Sequence, residues 1–310
     1  MTPLPVDLQL DVDGSAGDLS DVAYEWLEGV SARLLPDERQ ELAPLPARAE
    51  KGLGEPGSLF GVLAVSRGGI TAPAKTTERN CSASGLAWLR KELADLPEMA
   101  ILDIGVFDES GHRGKRLLML VVRRHPVSPQ WLRLSVLESD ERLDRSAESL
   151  RLQQGWLETL RAYAKKWDAG FGHISYGHGL GATALEDCLP ARVNPPEQRE
   201  PEHTVNECRR YLRGYSWLTI VPKELAAHLG GQKGVTETGA FRRVDALPGG
   251  ALWLQATERF EEFHGDAVVR VFDALAPVLR PGLPVEIPRY PGQPPHLLVF
   301  EDAAERPGKR

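Results

Sequence analysis

The sequence predicts an α+β protein in which one or more antiparallel or mixed sheets carry helices packed on them. Segments with apolar residues at every second position and segments with helical spacing both occur, but they do not alternate strictly along the chain. Three strand candidates, over residues 100–107, 116–124 and 131–137, follow one another directly. The stretch between the first two, Asp-Glu-Ser-Gly-His-Arg-Gly, has the composition of a hairpin turn, which predicts antiparallel pairing. Consecutive strands joined in this way indicate α+β rather than βαβ organisation.

The first half of the chain opens with a strand over residues 6–12. Its residues Val-Asp-Leu-Gln-Leu-Asp-Val alternate between apolar and polar, which is typical of a strand with one solvent-exposed face. Ser20 is a candidate cap for the helix that follows, and Pro36 ends the helical pattern. A buried strand is predicted over 59–65, a helix from Ser84, and a long helix from Ser146 to about Lys166.

The second half predicts further elements of both kinds. Strands are expected over 171–176, 216–221 and 296–300, and residues 241–246 and 251–255 form an expected hairpin. Helices are expected over 184–188, 205–212 and 266–276, and another is expected between Pro222 and Gly230, because proline favours helix starts and glycine favours helix ends. Residues 190–201 hold four prolines, which indicates an exposed excursion or a boundary. We therefore expect an N-terminal α+β unit over 1–189, a C-terminal α+β unit over 202–301, either separate or continuous with the first, and a flexible tail over 302–310.

Composition limits the classes of partner. The chain has 310 residues, 42% of them hydrophobic, and a net charge of −7. That charge disfavours binding to nucleic acid or to anionic membranes and favours a basic protein partner. The sequence shows neither a secretory signal nor an apolar run long enough to span a membrane. Three scattered cysteines without Cys-x-x-Cys spacing disfavour a disulfide scaffold, so we expect a cytoplasmic protein.

One glycine-rich turn is a candidate ligand site. Gly177-His-Gly179-Leu-Gly181-Ala182 follows a predicted strand and precedes a helix, as the small residues of a dinucleotide-binding turn do. With His173 and His178 nearby, Gly177 and Gly179 make up an alternative binding site for a nucleotide or a metal. The competing interpretation is a tight turn that needs positive φ. His173 and His178 would also point to opposite faces if the strand continued.

Other chemical patterns give no positive prediction. Cys188, His203 and Cys208 are suitable types for a metal site or a nucleophile pair, but their spacing does not place them together, and packing is the more economical role. The sequence holds no nucleophile elbow, His-Glu-x-x-His motif or phosphate-binding loop. We therefore expect no catalytic residue, no resident metal and no cofactor.

Several segments of the second half carry a resemblance to a known family. They are Gly214-Tyr-Ser-Trp217-Leu-Thr219 with the helix ending in Leu-Gly-Gly231, then Leu247-Pro-Gly-Gly-Ala-Leu, the stretch from Gly265-Asp266 to Leu279, and Gly170-Phe-Gly-His-Ile-Ser-Tyr-Gly. Over roughly residues 170–280 the chain resembles the type VI immunity family, a bacterial domain formerly of unknown function. The resemblance implies a non-catalytic protein that neutralises a cognate toxin by binding it, with no catalytic residues to carry over. The alternative hypothesis is an enzyme or small-molecule-binding protein that uses the Gly177–Ala182 turn.

Overall fold

The computed structural model describes residues 3–46, 53–68, 75–143 and 146–306. Contacts within the chain divide it into two compact units. The discontinuous unit combines Met1–Ser15 with Ser139–Arg310, and the continuous unit is Ala16–Glu138. The region around residues 190–201, where the sequence predicts a boundary, lies inside the discontinuous unit. The division into 1–189 and 202–301 therefore differs from the contact units and stays a prediction about folding.

Ten strands and ten α-helices occur in the described ranges. The strands are β1 (Pro5–Asp13), β2 (Leu59–Arg67), β3 (Lys75–Asn80), β4 (Met99–Phe107), β5 (Arg113–Arg124), β6 (Trp131–Ser139), β7 (Phe171–Tyr176), β8 (Leu218–Val221), β9 (Arg243–Ala246) and β10 (Leu252–Gln255). The helices are α1 (Leu19–Leu34), α2 (Pro36–Leu42), α3 (Ala83–Leu93), α4 (Ala147–Lys166), α5 (Ala184–Cys188), α6 (Pro196–Arg199), α7 (Pro201–Thr204), α8 (Lys223–His228), α9 (Gly231–Glu237) and α10 (Asp266–Leu275). None of the described helices is long and apolar enough to cross a membrane.

The continuous unit contains a sheet with the strand order β3-β2-β4-β5-β6, and each neighbouring pair is antiparallel. The predicted β4–β5 hairpin is confirmed. Helix α1 packs on this sheet through an apolar stripe that includes Trp26 and Val30. The indole Nε1 of Trp26 donates to the carbonyl of Ser135 at 3.3 Å, so its one polar group is satisfied inside the core. The cap of α1 is Asp18 and not Ser20, because the Asp18 side chain accepts the amide of Ser20.

The discontinuous unit contains the order β1-β7-β8-β10-β9, again with antiparallel neighbours. The predicted hairpin of β9 and β10 is confirmed. Helix α4 begins directly after Ser146, as predicted. The Ser146 hydroxyl caps it by accepting the amide of Ser149 at 3.1 Å, and the helix buries Trp156 and Leu160. Both units combine an antiparallel sheet with packed helices, so the predicted α+β class is confirmed.

Several local predictions were wrong. Residues 296–300 form no strand, and 205–212 form only a short 3₁₀ turn, over Val205–Glu207, after α7. Strand β3 was missed because its sequence Lys-Thr-Thr-Glu-Arg-Asn has no buried face to leave an apolar signal. In the predicted tail, Ala303–Glu305 form a 3₁₀ turn in which Ala303 is buried, and residues 307–310 lie outside the described residues.

Candidate functional site

The polar face of β1 is buried, so the prediction of a solvent-exposed face was wrong. Asp7, Gln9 and Asp11 are all buried, as are the apolar residues between them. Antiparallel pairing with β7 places Gln9 opposite His173 and Asp11 opposite Phe171. Because paired residues share a face of the sheet, polar side chains of both strands lie on one buried surface. Burial of charge requires compensation, and buried ionisable groups concentrate at functional sites.

Arg213 provides that compensation for Asp11. Its guanidinium is fully buried and donates from Nε and Nη2 to the two carboxylate oxygens of Glu186, at 2.8 and 2.9 Å. Nη1 donates to Asp11, and Nη2 also reaches the carbonyl of Gly181 at 3.0 Å. Burial alone would lower the pKa of Arg213, but Glu186 and Asp11 hold it above its usual value. This buried network joins β1, α5 and the segment before β8.

The Gly177–Ala182 turn contacts this network, because the carbonyl of Gly181 accepts a hydrogen bond from Arg213. Gly179 and Gly181 have φ of 81° and 74°, so the interpretation that the turn needs positive φ is supported. At the start of α5 the side chain of Glu186 accepts the Thr183 amide at 2.8 Å, and the Thr183 hydroxyl accepts the Glu186 amide at 3.2 Å. This capping box places a carboxylate where a dinucleotide-binding turn would hold a phosphate. The geometry therefore gives the nucleotide alternative little support.

A small cavity lies beside β7. Its volume is about 20 Å³, room for about one water molecule. The residues around it come from β7, from the segment before β8 and from the C-terminal segment; they include His173, Ser175, His178, Tyr215, Trp217 and Leu297. His173 is buried in the strand itself, on the wall of this cavity. The cavity is far smaller than the sites that enclose small organic ligands.

Three potential metal ligands meet at the edge of this cavity. His178 Nδ1 lies 3.5 Å from Asp187 Oδ2, and His296 Nε2 lies 2.7 Å from the same oxygen. The two imidazole rings have centroids 4.7 Å apart and an interplanar angle of 30°. The neighbouring imidazole of His178, followed by the hydrogen bond to His296, holds the pKa of Asp187 well below its usual range, although burial opposes the shift. We call His178, Asp187 and His296 the His-Asp-His cluster.

The structure separates the other residues that the sequence suggested as ligands. His173 lies at the cavity wall and outside the His-Asp-His cluster, and His203 lies in α7. Cys188 and Cys208 are buried, and burial raises the pKa of the Cys188 thiol to about 12. Sequence reasoning missed Asp187 and His296 because 109 residues separate them in the chain.

Comparison with known proteins adds information about the fold. The sheets and packed helices define an α+β protein of two compact units. A structure of the Pseudomonas aeruginosa T6SS protein PA0821 is similar, with a TM-score of 0.50 and 11% sequence identity, covering 98% of this chain and 81% of that chain. At this identity the likeness concerns the fold alone. No family model matches the chain, and no curated protein matches it.

Proposed function

We propose that this chain is a non-catalytic, cytoplasmic binding protein that neutralises a cognate bacterial toxin by direct contact, as a type VI immunity protein. The observation that carries the proposal is the fold likeness to a T6SS protein over 98% of this chain. The resemblance of residues 170–280 to the type VI immunity family points the same way, and it rests on sequence motifs rather than on the fold.

The motif residues behind that resemblance support the fold and not a site. Trp217 and Thr219 are fully buried, and Gly230, which has a φ of 75°, lies between α8 and α9. The Trp217 Nε1 donates to the carbonyl of Thr257 at 3.1 Å, which fixes the ring in the core. These residues therefore account for a shared architecture, and contact with a partner has to come from the surface.

We assign the partner to a surface of the discontinuous unit, called the apolar patch, where two neighbouring segments carry three exposed apolar residues. Val193, Leu283 and Val285 are all exposed. The two segments that carry them are joined, because the Val285 amide donates to the carbonyl of Cys188 at 2.8 Å and Gly282 lies against Asn194. Contiguous exposed apolar side chains are typical of binding surfaces. The net charge of −7 favours a basic partner around such a patch.

A genetic test addresses the proposal directly. Products of the neighbouring genes are expressed in a bacterial host with and without this chain, and we expect one of them to be toxic only in its absence. The purified pair should then form a complex in a pull-down. If no neighbouring product is toxic, or if protection occurs without a complex, the proposal is wrong.

A matched pair of substitutions tests the surface. Val285→Asp places a charge in the apolar patch, and Val269→Asp places the same charge on α10 at nearly the same exposure, 42% against 41%. We expect Val285→Asp to weaken the complex at least about tenfold, as burial of an unpaired charge does, and Val269→Asp to leave it unchanged. Equal effects of the two substitutions would exclude this patch.

A further inference from the structure

We propose that the His-Asp-His cluster of His178, Asp187 and His296 binds a divalent transition metal ion, with Zn²⁺ as the best match. The ligand atoms of the three side chains all lie within 4.8 Å of one another. Two imidazole nitrogens and one carboxylate oxygen form a donor set that suits zinc and its neighbours rather than Mg²⁺ or Ca²⁺, which prefer oxygen donors.

The environment of His178 is the second observation. Its side chain is only 2% exposed. Its Nδ1 atom is buried without a hydrogen-bond partner in the part of the chain that the structure describes, and it faces Asp187. A buried polar nitrogen without a partner is unfavourable, and in native proteins it calls for an explanation such as a bound ion. Coordination would satisfy this nitrogen.

Two of the three distances between ligand atoms lie within about 1 Å of the distance that a tetrahedral metal ion requires. With bond lengths of about 2.1 Å, two ligands of a tetrahedral ion lie about 3.4 Å apart. His178 Nδ1 and Asp187 Oδ2 are already 3.5 Å apart. The 2.7 Å hydrogen bond between His296 and Asp187 would have to open by somewhat less than 1 Å, which a side-chain rotation can provide. Three protein ligands leave a fourth position for water or for a donor from a partner.

Such an ion would fasten the C-terminal segment to the body of the discontinuous unit. His178 belongs to the turn after β7, Asp187 to α5, and His296 to residues 280–302, which contain neither helix nor strand. Pro295 and Leu297, on both sides of His296, line the small cavity beside β7. A bound ion would therefore hold Pro295 and Leu297 in place as part of the cavity wall. This role is independent of any toxin.

The test uses the full-length chain after treatment with a chelator. Titration with ZnCl₂ by calorimetry should show one site, and Zn²⁺ should raise the Tm in a thermal-shift assay. Co²⁺ should give visible absorption bands of a tetrahedral complex with nitrogen and oxygen ligands. His296→Gln and Asp187→Asn should each weaken Zn²⁺ binding at least about tenfold, since loss of even an outer partner of a metal site costs that much.

His264→Gln is the matched control, because His264 is exposed and lies outside the cluster. It should bind Zn²⁺ as the unchanged chain does. Circular dichroism and the metal-free Tm show whether each variant folds, and the Co²⁺ spectrum reports ligand identity when stability changes. Absence of a one-site titration, or unchanged binding in both His296→Gln and Asp187→Asn, would overturn the assignment. Sulfur-type charge-transfer bands with Co²⁺ would also overturn it, because they would place the ion at a cysteine.

Discussion

Replacing Arg213 by methionine is expected to destabilise the discontinuous unit by about 4 kcal/mol, because it leaves buried carboxylates without their cation. Methionine keeps much of the length and apolar volume of the side chain, so the loss comes mainly from charge and hydrogen bonds. The substitution removes the paired contacts to Glu186 and the contact to Asp11, all of them fully buried. Removing one partner of a buried ion pair typically costs about 3–5 kcal/mol, and two carboxylates here depend on one guanidinium.

Hydrogen exchange measured by residue is the suitable assay. Because the chain forms two compact units, a single unfolding midpoint would mix their stabilities. Amides of β7, such as Ile174, report on the unit that contains the network. We expect their opening free energy to fall by about 4 kcal/mol in Arg213→Met, while amides of β4 in the continuous unit change little.

Arg210→Met is the matched control. The Arg210 side chain is 71% exposed, and its Nη1 lies 3.9 Å from Glu207 Oε1. This exposed ion pair should contribute less than about 0.5 kcal/mol to the free energy of unfolding. A second test combines Arg213→Met with Asp11→Asn and Glu186→Gln, which removes the unpaired charges and should recover part of the loss. If Arg213→Met cost less than about 1 kcal/mol, the view that this network holds the unit together would be refuted.

Three further predictions concern other parts of the discontinuous unit. Burial alone would raise the pKa of Asp168, but Lys223, which donates to it at 2.8 Å, holds the pKa below the ordinary 3.8. The stability that this carboxylate contributes is therefore present above pH 3.8 and lost as pH falls through the lower pKa of the folded state. Asp168→Asn should lower the opening free energy of β7 amides by about 1 kcal/mol at neutral pH in hydrogen exchange. A difference that does not shrink in acid would contradict this. Cys208 is buried and its thiol pKa is raised by burial, so iodoacetamide should modify it only after unfolding, and rapid labelling of the native chain would disprove the burial. A Cβ at Gly172 would lie 2.8 Å from Ile220 Cδ1, so Gly172→Ala should lower the opening free energy of β7 amides by about 1–3 kcal/mol in hydrogen exchange. Unchanged exchange would show that this contact relaxes freely.

Most regular elements could be predicted from the sequence because their signals are local. Strand β7 and helix α5 have the bounds predicted from the sequence. Helix α10 also agrees to within one residue, since its apolar positions recur at helical spacing. The hairpins of β4 with β5 and of β9 with β10 follow from turn composition, which is equally local.

The candidate site could not be predicted because it depends on contacts between distant segments. The alternation in β1 correctly predicts a strand, but a polar face covered by Arg213 and an exposed polar face have the same pattern. Similarly, His296 gives no local sign that it lies beside Asp187. The unpartnered Nδ1 of His178 becomes visible only once burial is known. Sequence reasoning therefore located the turn after β7 but not the side chains that complete the cluster.

The discontinuous unit has a consequence for biosynthesis. Strand β1 leaves the ribosome before its partner strand β7, and Asp11 must wait for Arg213, which is 202 residues further along. At translation rates of about 5–20 residues per second, this interval lasts roughly 10–40 s. The continuous unit is encoded entirely within that interval, and it holds none of the residues of this network. The ionised Asp11 meanwhile makes premature burial of β1 costly, so the N-terminal strand is kept hydrated until its own partner emerges.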